Sequence, residues 1–259
     1  MFHPYRSVPS ALHAIDEQKT YAALDLTASK PTLYVASAAG ASVARVLERI
    51  DAIDPLVRVV DVHPLAANDP TGVDIFYLML VTTTIGFVTV FQVRGQVEDL
   101  SARHHISFVL ILALAGSLVL TGVDGPLLHR PAGAYPEEWG ILALHLVAVV
   151  SFASLMAALI GRWAIVPTWM FFVILGNTSS GGAVSPPLLP QPFDFLSRWL
   201  PSGATVTALR DAIYFRDYQH VRPLAVLAGW ATGLFIVWLV VSHRHLVREA
   251  GQQPRPNRS

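Results

Sequence analysis

The sequence predicts a mainly α-helical, polytopic membrane protein with about five transmembrane helices, short re-entrant or interfacial helices, and a small N-terminal α/β domain. Three observations predict this class. Of the 259 residues, 53% are hydrophobic and only 14% are charged, whereas an ordinary soluble domain carries about 25% charged residues. Uncharged apolar runs also recur after residue 72. Several runs of spanning length do not fit one soluble core of this size, so membrane lipid is the expected surroundings.

The composition also excludes several functional classes. The net charge is zero, so no overall positive field favours nucleic acid as a partner. The chain has no cysteine, which excludes disulfide bonds, thiolate nucleophiles and cysteine-based zinc sites. The first 19 residues lack the apolar core of a signal peptide. The remaining indications of function therefore lie in the apolar runs and in the segments between them.

Residues 1–72 are predicted to form a small α/β domain. β-branched and aromatic residues between turn formers predict strands, and the apolar residues of Ala41–Ile53 recur with the period of an amphipathic helix. The turn cluster Asn68–Gly72 marks the end of the domain. The predicted order is helix 10–18, strand 21–26, strand 32–37, helix 41–53 and strand 57–62.

Residues 73–245 are predicted to form the transmembrane domain. A bilayer core needs about 20 apolar residues in a helix, and most of the runs reach this length. The fourth run is shorter and spans only if its flanks are counted, because Arg162 can snorkel and Trp163 and Trp169 suit an interface. The predicted spans are 75–93, 106–123, 140–160, 162–177 and 223–242.

Arginine residues set the predicted orientation in the cell membrane. The basic tail 246–259 is expected in the cytoplasm, because cytoplasmic ends of membrane proteins carry an excess of Lys and Arg. Five crossings then place residues 1–72 on the extracytoplasmic side of a multi-pass protein. No apolar segment precedes this domain in the sequence, so we expect a further first helix upstream of Met1, and a reversed orientation is the alternative.

The least regular part of the predicted membrane domain is the segment 177–216, which we interpret as re-entrant or interfacial. Its first half is rich in Gly, Ser and Pro, and non-helical backbone at membrane depth has to be buried in protein or line a cavity. An ordinary extracytoplasmic loop is the alternative. The predicted order is an amphipathic helix at 193–200, a break at Pro201–Gly203, and a second helix at 205–214 with Thr205 or Thr207 as its N-cap.

Two motifs in this region carry a family resemblance. The first is G-N-x-S-S-G-G-x-x-x-P-x-x-L-P, and the second is L-P-x-G followed by R-x-x-x-Y-F. They resemble the actinobacterial branch of the ABC-2-type transporter permeases, near the phage-infection-protein (Pip)-like group. Arg210 is predicted to form a structural ion pair or to cap a backbone carbonyl. The structural motif comprises Gly176, Asn177, Gly181, Gly182, Pro186, Pro190, Pro201, Gly203 and Arg210.

The resemblance implies a permease-like subunit of an ABC-2-type exporter that acts as a homodimer. No G-x-x-x-x-G-K-[ST] motif occurs in the chain, so ATP hydrolysis would come from a separate ATPase subunit. The substrate is open, with lipids, drugs and peptides as candidates. A second hypothesis is a non-transporting cell-envelope receptor or scaffold that acts through residues 1–72. We expect no enzymatic activity, no cofactor, no metal site and no nucleic-acid partner.

Histidine and serine residues offer catalytic alternatives that the sequence patterns do not favour. His104 and His105 lie about 100° apart around a helix, so they share one metal ion poorly. Ser179 and Ser180 lie in the Gly-rich part of the chain, but no G-x-S-x-G or H-E-x-x-H motif is present. His145 is different, because an ionisable group inside a span is a functional hypothesis by default. A hydrogen bond to a neighbouring helix is the alternative interpretation.

Overall fold

The N-terminal part of the chain folds into a three-stranded sheet with two helices, in the order predicted. A computed structural model describes residues 4–27, 30–53, 56–96, 102–127 and 132–252. The N-terminal elements are α1 (Val8–Asp16), β1 (Ala22–Asp25), β2 (Thr32–Val35), α2 (Ala41–Ile53) and β3 (Arg58–Asp61). Strand β2 is central, antiparallel to β1 and parallel to β3. A parallel pair needs a crossover connection, and α2 provides it.

The first helix begins at Val8, two residues before the predicted start, because Ser7 caps it. The Ser7 side chain accepts a hydrogen bond from the backbone N–H of Ser10, and the Ser10 side chain accepts one from the backbone N–H of Ser7. On its inner face α1 buries Ile15, which packs in one apolar cluster with Phe215 from the far end of the chain. The N-terminal domain therefore shares its core with a segment that follows most of the membrane helices.

Four stretches within the described ranges are long and apolar enough to cross a membrane: Asp74–Val93, His104–Leu127, Tyr135–Thr178 and Val221–His243. They agree with the predicted class of helical membrane protein. The predicted spans 140–160 and 162–177 both fall in the third stretch, so length and composition give four candidates where about five spans were predicted. The first two stretches lie in α3 (Asp74–Gln96) and α4 (Ala102–Leu127).

The third stretch reverses direction at Gly161. Helix α5 (Tyr135–Ile160) ends there, and Gly161 has a φ of 59°. A 3₁₀ turn, α6 (Ile165–Thr168), a π-helical segment (Trp169–Leu175) and α7 (Gly176–Thr178) follow. Phe152 stacks on Phe171 with ring centroids 5.0 Å apart. A straight helix would separate these two residues by roughly 28 Å, so the second arm packs back against α5.

The short helices after α7 correct two predictions. They are α8 (Phe193–Ser197) and α9 (Pro201–Tyr214). The predicted break between the two helices is present, but it lies at residues 198–200, because Pro201–Gly203 form the first turn of α9, where the missing N–H of proline is not needed. The N-cap predicted at Thr205 or Thr207 is wrong. Both hydroxyls lie inside the helix and donate to carbonyl oxygens four residues earlier.

The last helix, α10, covers Val221–Gln252 and contains the predicted span 223–242. It continues without a break beyond His243, where the apolar stretch ends. The first half of the predicted tail 246–259 therefore belongs to α10. Residues 253–259 lie outside the described residues.

Helix α9 lies at the centre of the packing although it is short. Twelve of its fourteen residues are buried. Its Leu209 packs with Met79 of α3, Leu142 of α5 and Leu227 of α10, and all four side chains are fully buried in one cluster. A helix enclosed in this way has little contact with lipid or solvent, so its polar residues have to find partners inside the protein.

Side-chain contacts show which helix ends lie together. Near the N-terminal domain, Asn68 donates to the carbonyl of Leu127 at 3.1 Å, and Gln219 donates to Glu137 at 2.7 Å. The N-terminal domain, the end of α4, the start of α5 and the start of α10 therefore share one end of the helices. At the other end, the ring of His105 is 3.0 Å from the Ser154 hydroxyl and lies against Trp238.

Candidate functional site

The N-terminal domain is joined to the membrane helices through α9 and the Gly/Pro segment, defined here as residues 176–190. Gln18 donates to Asp211 of α9 at 2.6 Å. The Ser42 hydroxyl accepts from the backbone N–H of Ser185 at 2.8 Å and lies 2.7 Å from its hydroxyl. Polar contacts at two separate places therefore fix the domain on the helices.

Arg210 of α9 holds the Gly/Pro segment in place. Its guanidinium donates to the carbonyl oxygen of Gly181 at 3.1 Å, and its residue exposure is only 9%. Gly181 has a φ of 72°, a conformation that favours glycine. Burial lowers the pKa of Arg210 from its ordinary value, yet arginine stays charged in proteins. The predicted carbonyl cap is confirmed.

A small polar cavity of about 10 Å³ lies beside Arg210. Ser37 and Asp69 of the N-terminal domain, Ser185 of the Gly/Pro segment and Tyr214 of α9 contribute to its lining. A space of this size holds about one water molecule. The cavity therefore belongs to the hydrogen-bonded joint between the domain and the helices, and it is too small for an organic ligand.

The remaining motif residues make local contacts within the Gly/Pro segment, α8 and α9 and with α3. Gly203 lies so close to the Ser197 carbonyl of α8 that a Cβ atom would collide with backbone. Pro186 starts a 3₁₀ turn, and the Pro190 carbonyl accepts from the Phe193 N–H at 2.9 Å. The other contacts place Gly176 against Ser202, Gly182 against Phe76, Asn177 at the carbonyl that accepts from Ser180, and Pro201 at the start of α9.

His145 connects three helices in the interior. Its Nε2 atom lies 2.8 Å from the Thr83 hydroxyl of α3, and its Nδ1 atom lies 2.8 Å from the Thr205 hydroxyl of α9. Thr205 uses its single hydrogen on the Pro201 carbonyl, so it has to accept from Nδ1–H. The Thr83 hydroxyl that faces Nε2 also lies 3.6 Å from the sulfur of Met79. Both ring nitrogens have a hydroxyl partner inside the protein, which favours the structural interpretation of His145 over a catalytic one.

Several other buried oxygens in the helices have no hydrogen-bond partner among the described residues. They are the hydroxyls of Thr121, Ser151 and Ser202 and the side-chain carbonyl of Asn177. A buried polar group without a partner destabilises a protein by about 1 to 3 kcal/mol. These four oxygens lie on α4, α5, α7 and α9 and keep unused capacity for hydrogen bonds inside the helices.

No group of three or more His, Cys, Asp or Glu side chains that could hold a metal ion occurs in the described ranges. The pair His104–His105 lies at the start of α4, where the His105 ring is 3.0 Å from the Ser154 hydroxyl and 4.5 Å from the ring of Trp238. Ser179 and Ser180 donate to backbone carbonyls of residues 175 and 177, which gives neither hydroxyl the base that a nucleophile requires.

Sequence reasoning found the Gly/Pro segment and Arg210 but missed the other half of the site. The hydrogen bonds of His145 to α3 and α9 carry no sequence signal beyond a lone histidine inside an apolar run. The contacts of Gln18 and Ser42 join residues more than 140 positions apart. Comparison with protein-family models, curated proteins and solved structures finds no match for this chain. The resemblance to ABC-2-type permeases therefore rests on the sequence motifs alone.

Replacing Arg210 with alanine is expected to lower the melting temperature of the purified protein and its yield in membranes. The change leaves the Gly181 carbonyl without its hydrogen-bond donor. Loss of a partner lowers the free energy of unfolding by about 1 to 3 kcal/mol when the remaining group is buried. Arg198→Ala is the matched control, because Arg198 is exposed and its ion pair with Asp194 lies at the surface. Equal melting temperatures of the two variants would contradict the capping role.

Proposed function

We propose that this chain is a permease-like subunit of an ABC-2-type exporter in the cell membrane. The observation that carries the proposal is the set of buried polar groups among apolar helices, above all the hydroxyls of Ser151 and Ser202, which have no partner among the described residues. In a membrane protein, polar groups inside the bundle mark pathways for polar or ionic substrates. The motif resemblance over the Gly/Pro segment and α9 supports the same family.

We propose an arrangement with five crossings, in which the two arms on either side of Gly161 each cross the bilayer. The N-terminal domain then lies on the extracytoplasmic side and the end of α10 in the cytoplasm. The excess of arginine in the C-terminal tail supports this orientation. The shared location of the N-terminal domain and the start of α10 at one end of the helices is compatible with it.

A homodimer served by a separate ATPase subunit completes the proposal. Helix α10 presents an apolar groove of about 770 Å³, and a Cβ atom added at its Gly229 or Gly233 would meet nothing within 4 Å. Gly229 and Gly233 form a G-x-x-x-G pattern, which allows close helix approach in membranes. This face is our candidate for the contact between the two copies.

The alternative is a receptor or scaffold that acts through the N-terminal domain. Four large apolar residues on this domain are exposed, with Leu26 and Leu56 at 71% and 68%, and Leu24 and Val46 above half. Exposed apolar side chains on the domain are available for contact with a protein partner. The alternative therefore assigns the function to the domain surface, whereas the exporter proposal assigns it to the helix interior.

One experiment separates the two functions. Cells that lack the chain receive the wild-type gene, the Ser151→Ala/Ser202→Ala variant or the Leu26→Ser variant, and mass spectrometry compares small molecules and lipids inside and outside the cells. The exporter proposal predicts that the serine variant retains a compound inside the cells, although it breaks no hydrogen bond of the described structure. The receptor alternative predicts that only Leu26→Ser alters the cells. A strictly monomeric protein in mild detergent would also count against the exporter.

A further inference from the structure

A cavity of about 360 Å³ lies between the first turns of α5, the second half of α9 and the start of α10. Ligand sites in proteins have volumes of about 300 to 1,000 Å³. The walls of the cavity are mainly apolar and come from all three helices. They include Ile141 and Leu144 of α5, Ala208 and Ala212 of α9, and Leu224 of α10.

One end of the cavity is polar and carries negative charge. Glu137 and Asp211 both line it, together with Gln219 and His220. Asp211 is only 3% exposed and accepts hydrogen bonds from the Gln18 amide at 2.6 Å and from the His220 backbone N–H at 3.0 Å. The His220 ring lies 3.3 Å from the same carboxylate and carries a charge only when it is protonated. A buried carboxylate served by neutral donors has capacity for a cation.

Of the two arginines nearby, Arg210 is directed away from the cavity, whereas Arg216 forms an ion pair with Glu137 from outside the cavity lining. Arg210 precedes Asp211 in the chain, but its guanidinium donates to the Gly181 carbonyl. Arg216 lies 3.9 Å from Glu137 and donates to the Gly133 carbonyl. Neither side chain lines the cavity, and no lysine or arginine occurs among its described lining residues. The cavity therefore combines apolar walls with two carboxylates at one end.

We propose that this cavity binds an amphipathic cation, with its ammonium or amidinium group between Glu137 and Asp211 and its apolar body between α5 and α10. The apolar walls exclude a strongly hydrated inorganic ion, and the two carboxylates disfavour an anion or a neutral lipid tail. A charge-assisted contact to a carboxylate in a partly enclosed space gives the site its selectivity. The inference goes beyond the proposed export, because binding is measured without transport.

The test is calorimetric titration of the purified full chain in lipid nanodiscs with benzyltrimethylammonium, and with phenylacetate as an anion of similar apolar size. We expect saturable binding of the cation only. Glu137→Gln should raise the Kd about tenfold, as for the loss of one charge contact. Gly140→Leu should abolish binding, because Gly140 lines the cavity and a Cβ atom added there meets nothing within 4 Å.

Gly122→Leu is the matched control, since Gly122 also has open space around it and does not line the cavity. It should bind the cation like the wild type. Equal binding of both probes, unchanged binding by Gly140→Leu, or no saturable binding of the cation by the wild type would each overturn the proposal. If the chain binds the cation but exports nothing, the exporter function is contradicted and the site stands. If the chain exports a compound but does not bind the cation, the site alone is rejected.

Discussion

Gly203→Ala is expected to prevent the chain from reaching its folded state, with a loss of membrane yield and of the cooperative melting transition. A Cβ atom at this position would overlap the backbone carbonyl of Ser197, which belongs to α8 and is not a side chain that can rotate away. Overpacking of this kind destabilises proteins by about 1 to 3 kcal/mol or more. We expect the loss of stability caused by Gly203→Ala to lie at or above the upper end of this range, because α8 and α9 would have to separate.

The control for Gly203→Ala is Gly122→Ala in α4. Nothing lies within 4 Å of a Cβ atom at Gly122, so alanine is accommodated there. Alanine also favours a helix over glycine by about 1 kcal/mol. Thermal melting followed by size-exclusion chromatography compares the two variants with the wild type. A Gly203→Ala protein that melts like Gly122→Ala would show that α8 does not pack on α9 as described.

His145→Ala is expected to lower the stability of the folded protein by about 2 to 4 kcal/mol. The change removes a fully buried ring and leaves the Thr83 and Thr205 hydroxyls without the partner that joins them. The effect should appear as a lower melting temperature and as faster proteolysis of the region around Gly161. His243→Ala, at an exposed histidine of α10, is expected to be neutral.

A double-mutant cycle tests the His145 hydrogen bonds directly. Thr205→Val keeps the shape of the side chain and removes its hydroxyl, so the coupling between positions 145 and 205 isolates that bond. We expect a coupling of about 0.6 to 1.7 kcal/mol, the range for hydrogen bonds between membrane helices. Additive effects of the two substitutions would indicate that His145 acts by packing alone.

The N-terminal domain illustrates what could be predicted from sequence. Strands β1 to β3 and helix α2 were predicted to within a few residues, because β-branched runs and helical periodicity are local signals. The carbonyl cap by Arg210 was also foreseen as one of two roles for a charged residue in an apolar region. The start of α9 at Pro201 was not predicted. A Pro-Ser-Gly sequence is typical of a turn, but it fits equally well the first turn of a helix that begins with proline at N1.

Charge and hydropathy along the chain determined that this is a mainly helical protein with helices long and apolar enough to cross a membrane, because long uncharged runs are displayed directly by a sequence. Only the tertiary structure decided that α9 is enclosed by α3, α5 and α10, that His145 bonds Thr83 and Thr205, and that Glu137 and Asp211 line one cavity. These are contacts between residues distant in sequence. The packing of the helices decides which of these residues meet, and that packing produces no periodic pattern in the sequence.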